Sequence, residues 1–482
     1  MPNRRTALEP KASDLNRHLR WAVSVLGLSV LARLLWMLLS PNGMNLVDLH
    51  VYVGGSAALL TDHLYDFTYA EKTPDFPLPF TYPPFAAVVF FPLHYLPFTL
   101  VAVAWLLAIA AALYAVVHIS LELLFGAQRL RTPRWRAATV GWTALGLWLE
   151  PVRTTMDYGQ VNVFLVLGGM LAVRSSRWWL SGGLVGIVAG IKLTPAITGL
   201  YFVARRRWAT VVWSAVVFGA TVGLSFLIAP AEARQYFGTL LGDADRIGPV
   251  GSVWNQSLRG TLSRILGYDV QSGPWWIAAV LVVAALAFLA WRALGRDDRL
   301  GTLIVVQLFG LMVSPISWSH HWVWLLPTVL WLVYGPLRRA PGARIIAGYW
   351  LVTMLVGAPW VLSFFQDSIW TISRPGVLAW LGAVDALGVV VLYLWVIRFG
   401  TRYAPGRGRR NSRADRGHRA RRIGVARRAR KVTARVDLRP QVHSNAADPI
   451  LSRPAHPDQV FRAKRDRACA VRGPARVRVS TA

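Results

Sequence analysis

Residues 21–40, WAVSVLGLSVLARLLWMLLS, run directly into residues 41–52, PNGMNLVDLHVY. The first segment has the length a helix needs to cross about 30 Å of hydrocarbon, roughly 20 residues. A carboxylate, Asp48, follows it closely, with His50 and Tyr52 just beyond. An apolar span followed by an acid at the water interface reads as the opening of a polytopic, all-α membrane protein. Asp48 also begins the longest polar, aromatic-rich interval in the first three hundred residues, DLHVYVGGSAALLTDHLYDFTYAEKTPDFPLPFTYPP, residues 48–84. Residues 1–20 are basic, but they are too long and too polar for a cleavable signal, so residues 21–40 are expected to remain as an anchor.

Composition agrees with this opening. Of 482 residues, 54% are hydrophobic and 23 are Trp, and apolar runs recur to about residue 398, more than one water-soluble core can hide. The single cysteine, Cys469, excludes an intrachain disulfide and a cysteine-based metal cluster. The formal charge of +30 is uneven, since residues 401–482 hold 23 Lys+Arg against 5 Asp+Glu. That tail lacks a sustained apolar period and is expected to be disordered and cytoplasmic. It reads either as attracted to anionic headgroups or as a dispensable extension. Nucleic acid is not an expected partner, because neither aromatic interleaving nor a folded nucleic-acid motif accompanies the charge.

Basic loops favour the cytoplasmic side. Clusters at residues 129–136, 174 and 177, 205–207, 292–299 and 338–344 are assigned there, with both termini. The expected spans are residues 21–40, 98–121, 137–149, 161–173, 178–191, 193–204, 208–228, 275–291, 300–313, 322–335, 345–364 and 377–397, about twelve. Residues 85–96, bracketed by Pro83, Pro84, Pro92 and Pro97, are too short and too broken to cross and read as re-entrant or interfacial. The chain thus divides into a cytoplasmic basic arm (1–20), a membrane domain (21–400) with a first extracytoplasmic loop at 41–84, and the tail. Five polar motifs then share the outer face: residues 48–52, MDYGQVN (156–162), KLTP (192–195), WNQSLR (254–259) and SPISWSHHW (314–322). Only Lys/Arg clusters entered the assignment, so their gathering points to one extracytoplasmic site.

Each motif has a chemical and a structural reading. Asp48 reads either as the N-cap of an interfacial helix or as a general base whose pKa is raised by partial removal from water. FTYPPF, residues 80–85, fixes an extended corner at Pro83-Pro84. Its Tyr82 and phenylalanines suit a lipid interface or the apolar face of a sugar. Lys192 lies in an otherwise apolar run, where a lysine is costly; it reads as a counter-ion for phosphate or as a snorkelling side chain. Adjacent on a helix, His320 and His321 would point about 100° apart, so both line one site only on irregular backbone. They suit hydrogen bonds to phosphate or sugar hydroxyls, and no further ligands at metal spacing accompany them. Gln160, Asn162, Asn255 and Gln256 are amides able to pair with hydroxyls or to cap helices.

Taken in order, DLHVYVGG, LPFTYPPFAAVVFFPL, GQVNVFLVLGG, GIKLTP, WNQSLRG and SPISWSHHW resemble the actinobacterial polyprenyl-phosphomannose-dependent α-1,2-mannosyltransferases of glycosyltransferase family 87 across about residues 20–400. The resemblance implies a GT-C type fold. It also implies transfer, outside the plasma membrane, of mannose from a β-linked polyprenyl phosphate donor to a hydroxyl of a mannosylated glycolipid, such as a phosphatidylinositol mannoside, lipomannan or lipoarabinomannan. A β donor and an α product mean inversion, with no cofactor or divalent ion required. Asp48 matches the family's catalytic aspartate. By residue type, Lys192 and His320 or His321 are expected to meet the phosphate, and His50, Tyr52, Tyr82, Gln160, Asn162, Asn255 and Gln256 to contact substrate. The competing class is a transporter or flippase of a lipid-linked sugar; within the enzyme class, the competitor is a different polyprenyl-phosphate sugar, such as arabinose. Against the transporter, the motifs do not repeat in two halves and gather on one face.

Overall fold

The computed structural model describes residues 12–39, 45–61, 63–366, 368, 370, 372 and 376–403. Of the expected tail (401–482), residues 401–403 end the helix Val384–Tyr403; the rest of it, with Cys469, and the first part of the basic arm lie outside the described residues. The described residues are mostly helical. Those containing Arg17–Leu39, Phe98–Phe125, Trp208–Ile228, Pro274–Ala293 and Val384–Tyr403 are long and apolar enough to cross a membrane. Trp208–Ile228 leaves Val212, Val216 and Leu227 exposed on its outer side, as a helix facing lipid tails does.

Several expected spans are interrupted. Residues 193–204 resolve into a 3-10 turn, Thr194–Ile197, and a short helix, Thr198–Ala204. Residues 322–335 begin inside a 3-10 turn, Ser319–Trp324, before the helix Leu325–Tyr334. Residues 345–364 split at Gly357, which adopts a left-handed φ of 73°. Residues 85–96 form a seven-residue helix, Pro84–Phe90, and a 3-10 turn, Phe91–Tyr95. Among the described residues the named strands are Thr68–Tyr69 and Leu78–Pro79, which pair antiparallel inside the first loop.

The first span is held in register by polar contacts in an apolar setting. Ser29 Oγ donates to the Ala144 carbonyl at 3.0 Å and accepts from Trp148 Nε1 at 2.8 Å. Arg33 is fully buried and ion-paired with Asp157. A buried guanidinium stripped of its partner is strongly disfavoured, so this pair fixes the span against the helix Glu150–Tyr158. The Asp157 carbonyl also accepts from Leu46 N at 2.9 Å, at the start of the helix Val47–Ala57. Asp48 is thereby brought beside the MDYGQVN motif.

Gly159 makes that approach possible. It ends Glu150–Tyr158 at φ 70°, and a Cβ there would stand 2.6 Å from Leu49 Cβ. A side chain would therefore meet both backbone strain and a clash. A second close approach sets Lys192. Gly182, Gly186 and Gly190 lie on one face of Trp178–Ile191, and Cβ atoms there would come within 2.7 Å of Thr210 O, 2.7 Å of Val217 Cβ and 2.5 Å of Thr221 Oγ1 on Trp208–Ile228. Small residues four apart let two apolar helices pack backbone to backbone. Just past this seam the chain turns extended at Lys192 (φ −148°, ψ 130°).

Candidate active site

One cavity of about 530 Å³ takes residues from all five motifs: Asp48, Tyr158 with Gln160, Lys192, Trp254, and the segment Ser314–His321. This volume is in the usual range for a ligand site. Residues as far apart in sequence as Asp48 and His321 meet in it. The FTYPPF corner supplies Thr81, Tyr82 and Pro83 to the same wall. Pro83 is extended (φ −56°, ψ 152°) and Pro84 opens the next helix at its first turn, where a missing N–H costs nothing.

Asp48 is not an N-cap. Leu46 holds that position, in a left-handed conformation and without a side-chain cap, and Asp48 lies within the first turn of Val47–Ala57. A carboxylate in the first turn is favoured by the helix dipole, so its cavity position suits the local fold. Burial pushes the Asp48 carboxyl up to about 6, against the opposing effects of the Gln160 side chain and the Lys192 charge.

Gln160 is the hub between Asp48 and the rest. Its Oε1 accepts from Tyr52 Oη at 3.0 Å and from Asn162 Nδ2 at 3.3 Å. With the oxygen so occupied, the amide nitrogen is the end available to the Asp48 carboxylate. Tyr52 is fully buried, its hydroxyl 2.9 Å from that of Tyr82, and it lies behind the cavity wall. Tyr52, expected to contact substrate, is thus placed to orient Gln160. Asn162 likewise stands behind the wall, accepting from Lys192 Nζ at 3.2 Å.

Lys192 Nζ has three neighbours: Asn162 Oδ1, His321 Nε2 at 2.9 Å, and the ring of Tyr82, 5.4 Å from its centroid. Burial first, then the Lys192 charge, holds both His320 and His321 well below the usual imidazole range. A neutral His321 accepts a hydrogen bond from the Lys192 ammonium through Nε2, so Lys192 carries the charge and His321 orients it. Both histidines border the cavity because the 3-10 turn Ser319–Trp324 replaces a regular helix. Tyr158 stands edge-on to His320, with ring centroids 5.8 Å apart.

Three expected substrate contacts are placed elsewhere. His50 is stacked between Tyr69 and Phe98, with centroids at 4.7 and 3.7 Å, and does not border the cavity. Asn255 and Gln256 are fully buried with their amides committed to backbone. Asn255 Nδ2 donates to Val250 O and Pro315 O, and Oδ1 accepts from Ser257 N and Ser317 N. Gln256 Nε2 donates to Val253 O and Gly382 O, and Oε1 accepts from Asp385 N. The Asn255 amide buckles SPISW against 250–257, and the Gln256 amide ties that stretch to Gly382 and Asp385. Asn255→Ala should lower stability by about 3 kcal/mol, since it leaves buried backbone groups unsatisfied. A fall of several degrees in the thermal midpoint in detergent checks this.

Cavity residues that the motifs did not include are, among others, Arg246, Tyr236 and Phe76. Arg246 carried one sequence signal, a lone arginine remote from the cytoplasmic basic clusters. Among the described residues no cluster of three or more His, Cys, Asp or Glu is arranged to hold a metal.

The sequence profile of glycosyltransferase family 87 matches residues 80–315. A protein of Mycolicibacterium smegmatis described as polyprenol-phosphate-mannose-dependent alpha-(1-2)-phosphatidylinositol pentamannoside mannosyltransferase is 56% identical, over 81% of this chain and 94% of its own length. A Mycobacterium tuberculosis protein of the same description is 55% identical, over 79% and 88%. Another from Mycobacterium tuberculosis, described as the corresponding phosphatidylinositol mannoside mannosyltransferase, is 34% identical, over 66% and 77%. No solved structure matches the chain. With motif order, cavity and relatives in agreement over most of its length, the chain belongs to glycosyltransferase family 87.

Proposed function

We propose that the protein is an inverting α-1,2-mannosyltransferase that moves mannose from polyprenyl phosphomannose to a hydroxyl of a phosphatidylinositol mannoside. The observation that carries this reading is the pairing of Asp48 and Lys192 on one cavity, coupled to each other electrostatically and bridged through Gln160 and Asn162. Direct displacement at a sugar carbon needs a base for the incoming hydroxyl and a cation for the departing phosphate. In this reaction the acceptor oxygen attacks C1 of mannose and its proton passes to an Asp48 oxygen. The C1–O bond to phosphate breaks, its electron pair stays on the phosphate oxygen, and Lys192 faces the charge that develops. His321 and Asn162 orient the ammonium, while Tyr52 and Gln160 orient the base. The greater identity to the two pentamannoside enzymes favours a long oligomannoside acceptor over a short one.

We further read residues 21–400 as a GT-C type catalytic domain of about twelve spans in the plasma membrane, with the cavity on the extracytoplasmic side and the FTYPPF corner where the lipid chain enters. The lipophilic donor supports this placement, since it reaches the site without leaving the bilayer. The test uses the purified protein in vesicles with labelled polyprenyl phosphomannose and phosphatidylinositol pentamannoside. Label in a six-mannose lipid is the expected result. Movement of the donor between leaflets without transfer would favour a flippase, and transfer only from another polyprenyl-phosphate sugar would replace the donor.

A further inference from the structure

Arg246 is the cavity residue with no part in the mechanism so far. Its side chain donates to three backbone carbonyls: Nε to Leu240 at 3.4 Å, Nη1 to Phe80 at 3.3 Å and Nη2 to Thr81 at 3.0 Å. Its guanidinium carbon lies 5.7 Å from the ring centroids of both Tyr65 and Tyr236. Every one of these partners is neutral. Asp243 acts on it from beyond ion-pair distance, and among the described residues no carboxylate pairs with it directly. A guanidinium offers five N–H donors, so three bonds leave donors and the full charge for a ligand. Such a fork suits phosphate oxygens.

The charge balance of the reaction calls for a second cation. A polyprenyl phosphomannose is a phosphodiester with one negative charge. When C1–O breaks and the electron pair stays with oxygen, the leaving monoester carries up to two, while the acceptor's proton neutralises Asp48. Lys192 matches one charge, and His320 and His321 are held neutral. Among the described residues lining the cavity, Arg246 is the other cationic side chain. Both cations border the same corner: Arg246 grips the carbonyls of Phe80 and Thr81, and Lys192 faces the ring of Tyr82.

Resting on the donor assignment above, we infer that Arg246 is a further catalytic residue, which binds the departing polyprenyl phosphate and stabilises its second negative charge. A purely structural latch, tying residues 240–246 to the corner, is the competing role, and charge separates the two. Arg246→Lys keeps the charge and loses the three-carbonyl fork; Arg246→Gln loses the charge. Catalysis through charge predicts kcat at least 100-fold lower in Arg246→Gln, the acceptor KM within about twofold of wild type, and at least tenfold recovery in Arg246→Lys. Equal impairment of both variants, or a wild-type kcat in Arg246→Gln, would overturn it.

A second measurement uses the wild type alone. A short-chain prenyl phosphate, dianionic at pH 8, should inhibit at least tenfold more strongly than its methyl ester, a monoanion with the same chain. Equal inhibition overturns the second-cation role even if transfer is normal. Wild type that transfers no mannose and binds neither inhibitor would remove the mannosyltransferase reading and, with it, the role of Arg246.

Discussion

Asp48→Asn transfers mannose at no more than about one thousandth of the wild-type rate. General-base catalysis contributes on the order of 10² to 10⁴-fold, and the amide is nearly isosteric, so the cavity keeps its shape while the proton acceptor is lost. The wild-type pH profile carries the same information. Burial raises the Asp48 carboxyl to about 6, and the base works only when ionised. kcat/KM of the wild type should therefore rise about tenfold per unit as pH climbs toward 6 and level off above it. The variant's residual activity should lack this limb. Full transfer by Asp48→Asn, or a wild-type profile flat from pH 5 to 8, would remove Asp48 from the role.

Lys192→Met should lower kcat by about 10² to 10³-fold, the usual cost of removing one preorganised partner of a developing charge. It also makes a signed prediction about its neighbour. The Lys192 charge lowers the Asp48 pKa; removing it disfavours the carboxylate, so the acid limb of the surviving activity must move above 6. A limb that stays in place would mean that the two groups do not share one cavity. Unchanged kcat would mean that the phosphate departs toward another cation, which Arg246→Gln would then reveal.

Much of this site was legible in the sequence because intramembrane and interfacial polar residues are costly and therefore informative. Asp48 after the first span, Lys192 in an apolar run, and the paired histidines after Pro315 all stood out against their surroundings, and all three positions border the cavity. The five motifs that the Lys/Arg clusters assign to one face also meet in one cavity. Residue type alone failed where an amide or ring has two equally good uses. Asn255 and Gln256 looked like sugar-binding amides, but their donors and acceptors satisfy the backbone of two loops. His50, two positions after Asp48, turns to the other side of its helix and stacks on Tyr69 and Phe98.

Helix ends were less legible than helix existence. The breaks at Thr194–Ile197, Gly357 and Ser319–Trp324 turn what hydropathy reads as single spans into a helix plus a 3-10 turn or a second short helix. These irregular segments let backbone and side chains point into a cavity, which a straight apolar helix cannot do. Arg246 was missed for the opposite reason. It sits in a polar stretch, where its distance from the cytoplasmic basic clusters is a weak signal until the fold places it on the corner beside Tyr82.

The proposed single inverting displacement between Asp48 and Lys192 sets the configuration of the newly made linkage, read from the one-bond C1–H1 coupling of the added mannose in product formed from β-linked polyprenyl phosphomannose. An α-linked mannose is the predicted result. A β-linked mannose would contradict the account, because it requires retention and a nucleophile on the enzyme that takes mannose before the acceptor does.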